Sequence, residues 1–297
     1  MKIAVAALGL TLLAAPALAA PTHHALGRAD GSVVHYSLDW PEGAPQGIVL
    51  LAQGSGCGPA AQSPNLATAR EAFPHHLALT IEKSAITPDA AIVDGFTGCP
   101  AAFHESHTVS GRVADMRMVL DHLAANPDLP DRLVLFGGSE GGLAIAMLLD
   151  HVKADAAILL SSGAGIPFGE MILSTVPPEG QQTAAAGFAA ARADPEGAAI
   201  FAGSSHRFWA DALDRNPLDH LLATRTPVLV LQGGRDVSSP LDAARATTAA
   251  FAAQGLCHLT YWEFPALDHG MADPAGRSHL AAIAHLAAAW SETPVSC

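Results

Sequence analysis

Four short runs, GIVLLAQ (47–53), RLVLF (132–136), AAILLSS (156–162) and PVLVLQ (227–232), constrain this chain more than any other feature, because they are apolar at nearly every position. A strand with no polar face has nothing to offer water, so both of its sides must be covered, as in a parallel sheet flanked by helices. LALTIEK (77–83) and HLTYWEF (258–264) add two further strands. Helical periodicity marks VADMRMVLDHLAAN (113–126), LAIAMLLDHV (143–152), residues 242–254 and Arg277 to Trp290. Strands alternating with helices imply βαβ units, hence an α/β fold with a mostly parallel central sheet and helices on both faces. Ligands of such sheets bind beyond the carboxyl ends of the strands. At the start, ALGRADGSVVHYSLDW (25–40) alternates around Asp30-Gly31 and predicts an opening β-hairpin. One stretch breaks the alternation. Residues 163–222 are Ala-rich, are punctuated by Pro167, Pro177, Pro178, Pro195 and Pro217, and offer helices but no clear strand, as expected of a helical cap inserted into the core domain.

Composition narrows the partners. Half of the 297 residues are apolar and only 14% are charged, enough to build a large core and unlike a disordered chain. With 15 Lys and Arg against 28 Asp and Glu, the net charge of -13 repels nucleic acid and anionic lipid. Residues 1–20, MKIAVAALGLTLLAAPALAA, have a positive start, an apolar stretch and the small-residue pattern Ala17-Leu18-Ala19. This is the pattern of a bacterial secretory signal peptide cleaved after Ala19 or Ala20, so residues 1–19 lie outside the expected domain of 20–297 and the protein is placed in the periplasm or outside the cell. The apolar run is shorter than the roughly 20 residues a membrane span needs, and no other segment qualifies. All four cysteines, Cys57, Cys99, Cys257 and Cys297, fall after the signal, where an oxidising compartment favours disulfides. Their spacing leaves three pairings open.

Gly137-Gly138-Ser139-Glu140-Gly141 fits G-x-S-x-G, and it lies between an apolar strand and a helix. There a sharp turn raises the serine hydroxyl above the sheet, and side chains at the two outer positions would collide with the crossing strand and helix, which explains the glycines. On this motif and its setting the chain resembles the α/β-hydrolase superfamily, and is most similar to its branch near the dienelactone hydrolases and prolyl-oligopeptidase-type catalytic domains. The resemblance covers nearly the whole chain after the signal. It implies a triad in the order Ser, acid, His. PVLVLQGGRD puts Asp236 just past a late strand, and HLTYWEFPALDHG puts His269 after the last one. Ser139 would be the nucleophile, His269 its base and later the acid, and Asp236 the group that orients the imidazole. Asp268 is a rival because it adjoins His269, although adjacent side chains usually diverge, and Asp242 is a more distant one.

The resemblance also implies an oxyanion hole made of the Glu140 N–H and a second N–H, from Ser55 or Gly56, in the loop Gln53-Gly54-Ser55-Gly56. Gln53 stands where the superfamily usually has His. In that fold Cys57 and Cys99 follow neighbouring strands, which implies a Cys57 to Cys99 bridge, and the last helix returns Cys297 towards Cys257, which implies the second. Metal readings are weak: His104-Glu105-Ser106-His107 is not H-E-x-x-H, lies in an expected loop without an obvious third ligand, and is expected to be solvated. His23-His24 and His75-His76 have no acidic ligand set beside them, and Arg235, before the acid, is either a partner for a substrate carboxylate or, as is more usual in such a turn, a surface charge. No cofactor and no metal are called for. The expectation is a secreted serine hydrolase acting on small carboxylic esters through an acyl-enzyme. Short peptides are the alternative substrates, although no β-propeller precedes the catalytic domain, and a silent binding protein of the same fold is the remote one.

Overall fold

The computed structural model describes residues 20–92 and 94–296. The expected signal segment, residues 1–19, and the Cys297 end of the second bridge lie outside the described residues.

The chain begins with β1 (Thr22–Gly27) and β2 (Val33–Asp39), an antiparallel hairpin turning at Gly31, whose φ is 86°. Then come β3 (Gly47–Ala52), α1 (Pro64–Glu71), β4 (His76–Ile81), α2 (Ala101–Ser106), α3 (Val109–Ala124), β5 (Leu133–Gly138), α4 (Glu140–Leu148) and β6 (Ala156–Leu160). Between β6 and the next sheet strand lie α5 (Phe168–Thr175), α6 (Pro178–Ala193), β7 (Ile200–Phe201), β8 (Ser204–Ser205), α7 (His206–Ala212) and α8 (Pro217–Ala223). The chain closes with β9 (Val228–Gly233), α9 (Leu241–Ala253), β10 (Leu259–Phe264) and α10 (Leu280–Glu292). Eight strands form one sheet in the order β1-β2-β4-β3-β5-β6-β9-β10, parallel from β4 to β10 and antiparallel at β1 and β2.

Alternate residues of the apolar strands feed two separate cores, which is why these strands carry no polar face. Leu50, Leu135, Leu159 and Val230 pack with α3, α4 and Phe251 of α9 on one side of the sheet. Val49, Leu51, Val134, Phe136 and Leu229 pack with α1 and α10 on the other.

Two expectations need correction. Residues 163–222 contain a small hairpin, β7 with β8, as well as helices. Its strands are too short to leave a periodic signature. What holds it is tertiary: the Phe201 ring meets Phe188 edge-on, and the Phe201 carbonyl accepts from Trp209 Nε1 at 2.7 Å. The His104 to His107 stretch is also helical rather than a loop, and although Glu105 and Ser106 are exposed as expected, His107 is not solvated. His104 and Glu105 lie on α2, and His107 is buried, stacked between Phe103 at 4.6 Å and Phe208 at 5.5 Å. Phe103, four residues before it, and Phe208, from α7, sandwich this histidine, and the approach of Phe208 leaves no trace in the sequence spacing.

Candidate active site

Strand register decides which loops meet. Ala52 pairs with Gly137, Gly138 with Leu160, Leu160 with Leu231, and Gly233 with Phe264. The carboxyl ends of β3, β5, β6, β9 and β10 are therefore level, and the residues that follow them share one edge of the sheet. β3 has β4 on one side and β5 on the other, so the loops after β3 and β5 open a crevice at the point where the strand order reverses.

At the end of β5 the chain turns within a single residue. Ser139 has φ 53° and ψ -125°, a conformation that costs a non-glycine residue on the order of 1–3 kcal/mol. Its N–H donates to Leu160 O at 2.8 Å, and its carbonyl accepts from Gly142 N at 2.8 Å, so the neighbouring strand β6 and the helix α4 hold the turn. A Cβ on Gly141 would collide with the carbonyls of Ala52 and Gln53, and one on Gly137 with the carbonyl of Gly141. The elbow is possible only without those side chains.

Asp236 and His269 come together from the loops after β9 and β10. Nδ1 of His269 lies 2.9 and 3.0 Å from the two carboxylate oxygens of Asp236. That carboxylate also accepts from the N–H groups of Ser238 and Ser239, at 2.9 and 2.8 Å, and from Gln232 Nε2 at 3.1 Å. Burial by itself would raise its pKa, but the His269 contact and the two backbone donors outweigh burial and hold Asp236 below the usual carboxylate range. Asp268 is occupied elsewhere, accepting from Gly270 N and Ala272 N at 3.0 and 2.9 Å within its own turn. Asp242 is exposed in the first turn of α9, and Arg235 is exposed as well.

Ser139 and His269 line one cavity of about 670 Å³. Gly54 and Ser55 form part of its wall, with Gly54 lying so close to the nucleophile that an added Cβ would sit 3.2 Å from the Ser139 Cβ. Gly56 is absent from that lining. Its φ is 92°, and it lies against Gly95, whose carbonyl accepts from Cys57 N at 2.7 Å. Gln53, in the place usually held by His, donates its amide to Gly58 O at 2.9 Å and braces the same loop. Cys57 and Cys99 are disulfide-bonded with Cα atoms 5.6 Å apart, tying this loop to the one that carries Gly95 and Phe96 to the cavity.

Behind the elbow lies a group of charges that sequence reasoning missed. Glu140, the residue after the serine, is buried with Lys83, Arg112 and His107 around its Oε1, at 2.9, 3.1 and 3.7 Å. The last distance is too long for a hydrogen bond. Burial would raise the Glu140 pKa, yet Lys83, His107 and Arg112 together hold it far below its ordinary value. Burial pushes the Lys83 ammonium down to about 8 against the pull of Glu140, and pushes His107 down to about 4. Only the residue types offer a signal: a Lys at the end of the run LALTIEK, two residues past β4, and a Glu inside a nucleophile motif.

His107 carries a prediction for stability. Between the unfolded histidine pKa of about 6.5 and its folded value of about 4, the unfolded chain binds a proton that the folded chain refuses. Its contribution is therefore fully present above the upper value and is lost as pH falls towards the lower one. Chemical denaturation of wild type and His107→Phe at pH 6.5 and 5 should show the wild type losing on the order of 1–2 kcal/mol more than the variant. Equal losses would remove His107 as the cause.

Neither a protein-family model nor a curated protein sequence matches this chain. Solved structures do. Est1E from Butyrivibrio proteoclasticus, determined with ferulic acid bound, is similar with a TM-score of 0.64 at 18% identity, over 90% of this chain and 97% of that one. The esterase domain of a Rhodothermus marinus protein has a TM-score of 0.58 at 15% identity, over 92% and 99%. A puromycin-hydrolysing peptidase of Mycobacterium tuberculosis has a TM-score of 0.63 at 19% identity, over 95% of this chain but 42% of that one.

Proposed function

We infer that this chain, whose fold is that of the α/β-hydrolases, is a serine hydrolase that cleaves carboxylic esters through an acyl-enzyme on Ser139. The observation that carries this reading is the placement of a strained serine and an Asp236-paired histidine on one cavity. A serine hydroxyl is a poor nucleophile until a base accepts its proton. His269 takes that proton through Nε2 as Ser139 Oγ bonds to the acyl carbon, and Asp236 holds the tautomer with hydrogen on Nδ1. The oxyanion that forms is met by the Glu140 N–H and by an N–H of the β3 loop. His269 then returns the proton to the departing alcohol. In the second half, water gives a proton to the same nitrogen as its oxygen bonds to the acyl carbon, and His269 returns that proton to Ser139 Oγ as the acyl–oxygen bond to the serine breaks, releasing the acid and restoring the enzyme.

Esters rank above peptides because of the cavity wall. Among its described residues the only ionisable side chain is His269, and the rest is Phe96, Phe168, Ile172 and similar apolar groups interspersed with Ser, Gln and Asn. Such a wall holds no carboxylate for the α-ammonium of an aminoacyl substrate and no cation for a peptide carboxylate, and desolvating either ion unpaired is costly. Esterases and a peptidase are both found among the similar structures. Assays of short-chain acyl esters beside aminoacyl amides should show faster turnover of the esters, and faster turnover of the amides would reverse the ranking.

Residues 163–222 serve in this reading as the cap, since Phe168, Met171 and Ile172 of α5 reach the cavity. The Cys57–Cys99 bridge supports an oxidising, extracytoplasmic setting. No helix among the described residues is long and apolar enough to cross a membrane.

A further inference from the structure

The buried charges behind the elbow have no part in the proton transfers above, yet they touch both sides of the proposed oxyanion hole. Lys83 Nζ has three N–H donors and three acceptors: Gly54 O at 2.7 Å, Gly56 O at 2.9 Å and Glu140 Oε1 at 2.9 Å. Arg112 adds Gln53 O at 2.7 Å through Nη2 and Glu140 Oε1 at 3.1 Å through Nη1. Two consecutive carbonyls of the β3 loop, Gln53 and Gly54, are thus drawn towards the buried cations. No described peptide bond is cis, and in a trans peptide the N–H points opposite to its C=O. Fixing the carbonyls of Gln53 and Gly54 therefore turns the N–H groups of Gly54 and Ser55 away from the cluster, and both residues line the cavity with Ser139. The other donor belongs to Glu140, whose side chain anchors the same two cations.

We propose that Lys83 and the Glu140 side chain are positioning residues that lock the two halves of the oxyanion hole to each other, so that the β3-loop donor and the N–H after the nucleophile are held at a fixed separation. The proposal rests on the serine-hydrolase reading. Four charged or polar groups, Lys83, Arg112, His107 and Glu140, arrive from four segments and are nearly water-free, and such ion clusters seldom add net stability over apolar replacements. Orientation of backbone donors is what this cluster provides and an apolar one could not. The second oxyanion donor is then the Ser55 N–H, backed by that of Gly54, with Gly56 serving as an anchor through its carbonyl.

The test compares wild type, Lys83→Met and the charge-balanced double variant Lys83→Met/Glu140→Gln, which removes the ammonium and the carboxylate charge together and stays testable if the single variant does not fold. Each is measured per active site, titrated by fluorophosphonate, on a short-chain ester. The expected result is a kcat lower by about 10²–10³-fold with KM within about threefold. Affinity for a trifluoromethyl ketone, which forms a tetrahedral adduct on the serine, should fall in step with kcat/KM. A purely structural role would lower the fraction of active sites and leave kcat per site unchanged; that outcome, or unchanged ketone affinity, overturns the proposal. Wild-type protein that fails to label at Ser139 would overturn the serine-hydrolase reading itself, a different result from labelling that survives in both variants at the wild-type rate.

Discussion

Ser139→Ala is expected to lower ester turnover by about 10⁴- to 10⁶-fold, the range in which a triad that works as a unit collapses when its nucleophile is removed. The loss should fall on kcat, because the cavity wall that binds the substrate is untouched. A fluorophosphonate should add its phosphonyl group to the wild-type chain and not to the variant, seen by intact-protein mass. The fold should survive: the elbow is held by the Ser139 backbone, whose N–H and carbonyl bond to Leu160 and Gly142. Alanine even keeps the positive φ, at the same backbone cost as serine. Equal labelling of wild type and Ser139→Ala would place the nucleophile elsewhere, and equal ester turnover would remove the reading altogether.

Asp236→Asn is expected to cost about 10⁴-fold in kcat, and the hydrogen bonds around this carboxylate explain why. Oδ1 accepts from two backbone N–H groups, Ser238 and Ser239, so in asparagine that position must remain the carbonyl oxygen. The amide NH₂ then falls at Oδ2, facing His269 Nδ1 and Gln232 Nε2. Donor meets donor. Gln232 is held by the carbonyls of Gly233 and Ser239, at 3.2 and 2.9 Å. The imidazole either shares Oδ1, 3.0 Å away, with the two backbone donors already on it or accepts from the new amide by moving its proton to Nε2, the nitrogen that should take the proton of Ser139. Asp268→Asn serves as the comparison, since its Oδ1 accepts from Gly270 and Ala272 and an amide oxygen can do the same. That variant should stay within about tenfold of wild type. Reversal of the two effects, read as kcat on one ester with stability checked by thermal melting, would exchange the roles of the two carboxylates.

Much of the fold is legible in the chain because the signals are local. GIVLLAQ and PVLVLQ are apolar on both faces, and only a doubly covered parallel strand tolerates that. Gly137 and Gly141 mark the elbow because the collisions that exclude a side chain involve residues of the turn itself and the adjacent β3 end. Asp236 and His269 could be singled out through the resemblance, which implies an acid after a late strand and a histidine after the last one. Position ranked Asp236 above Asp268 only through the general divergence of adjacent side chains. The hydrogen bonds supply the specific reason, since they commit Asp268 to its own turn.

Chain order by itself determined the sheet, the strand-to-helix turn at Ser139 and the loops that could approach it, since each depends on residue patterns a few positions long. Tertiary structure alone decided what surrounds Glu140. Lys83, His107, Arg112 and Glu140 have no common spacing, and any one of them would pass for a surface charge in sequence. A buried charge is defined by what removes its water and what pairs with it, here groups from four segments. Neither is a property of the neighbours in the chain, so neither could be found before the chain was folded.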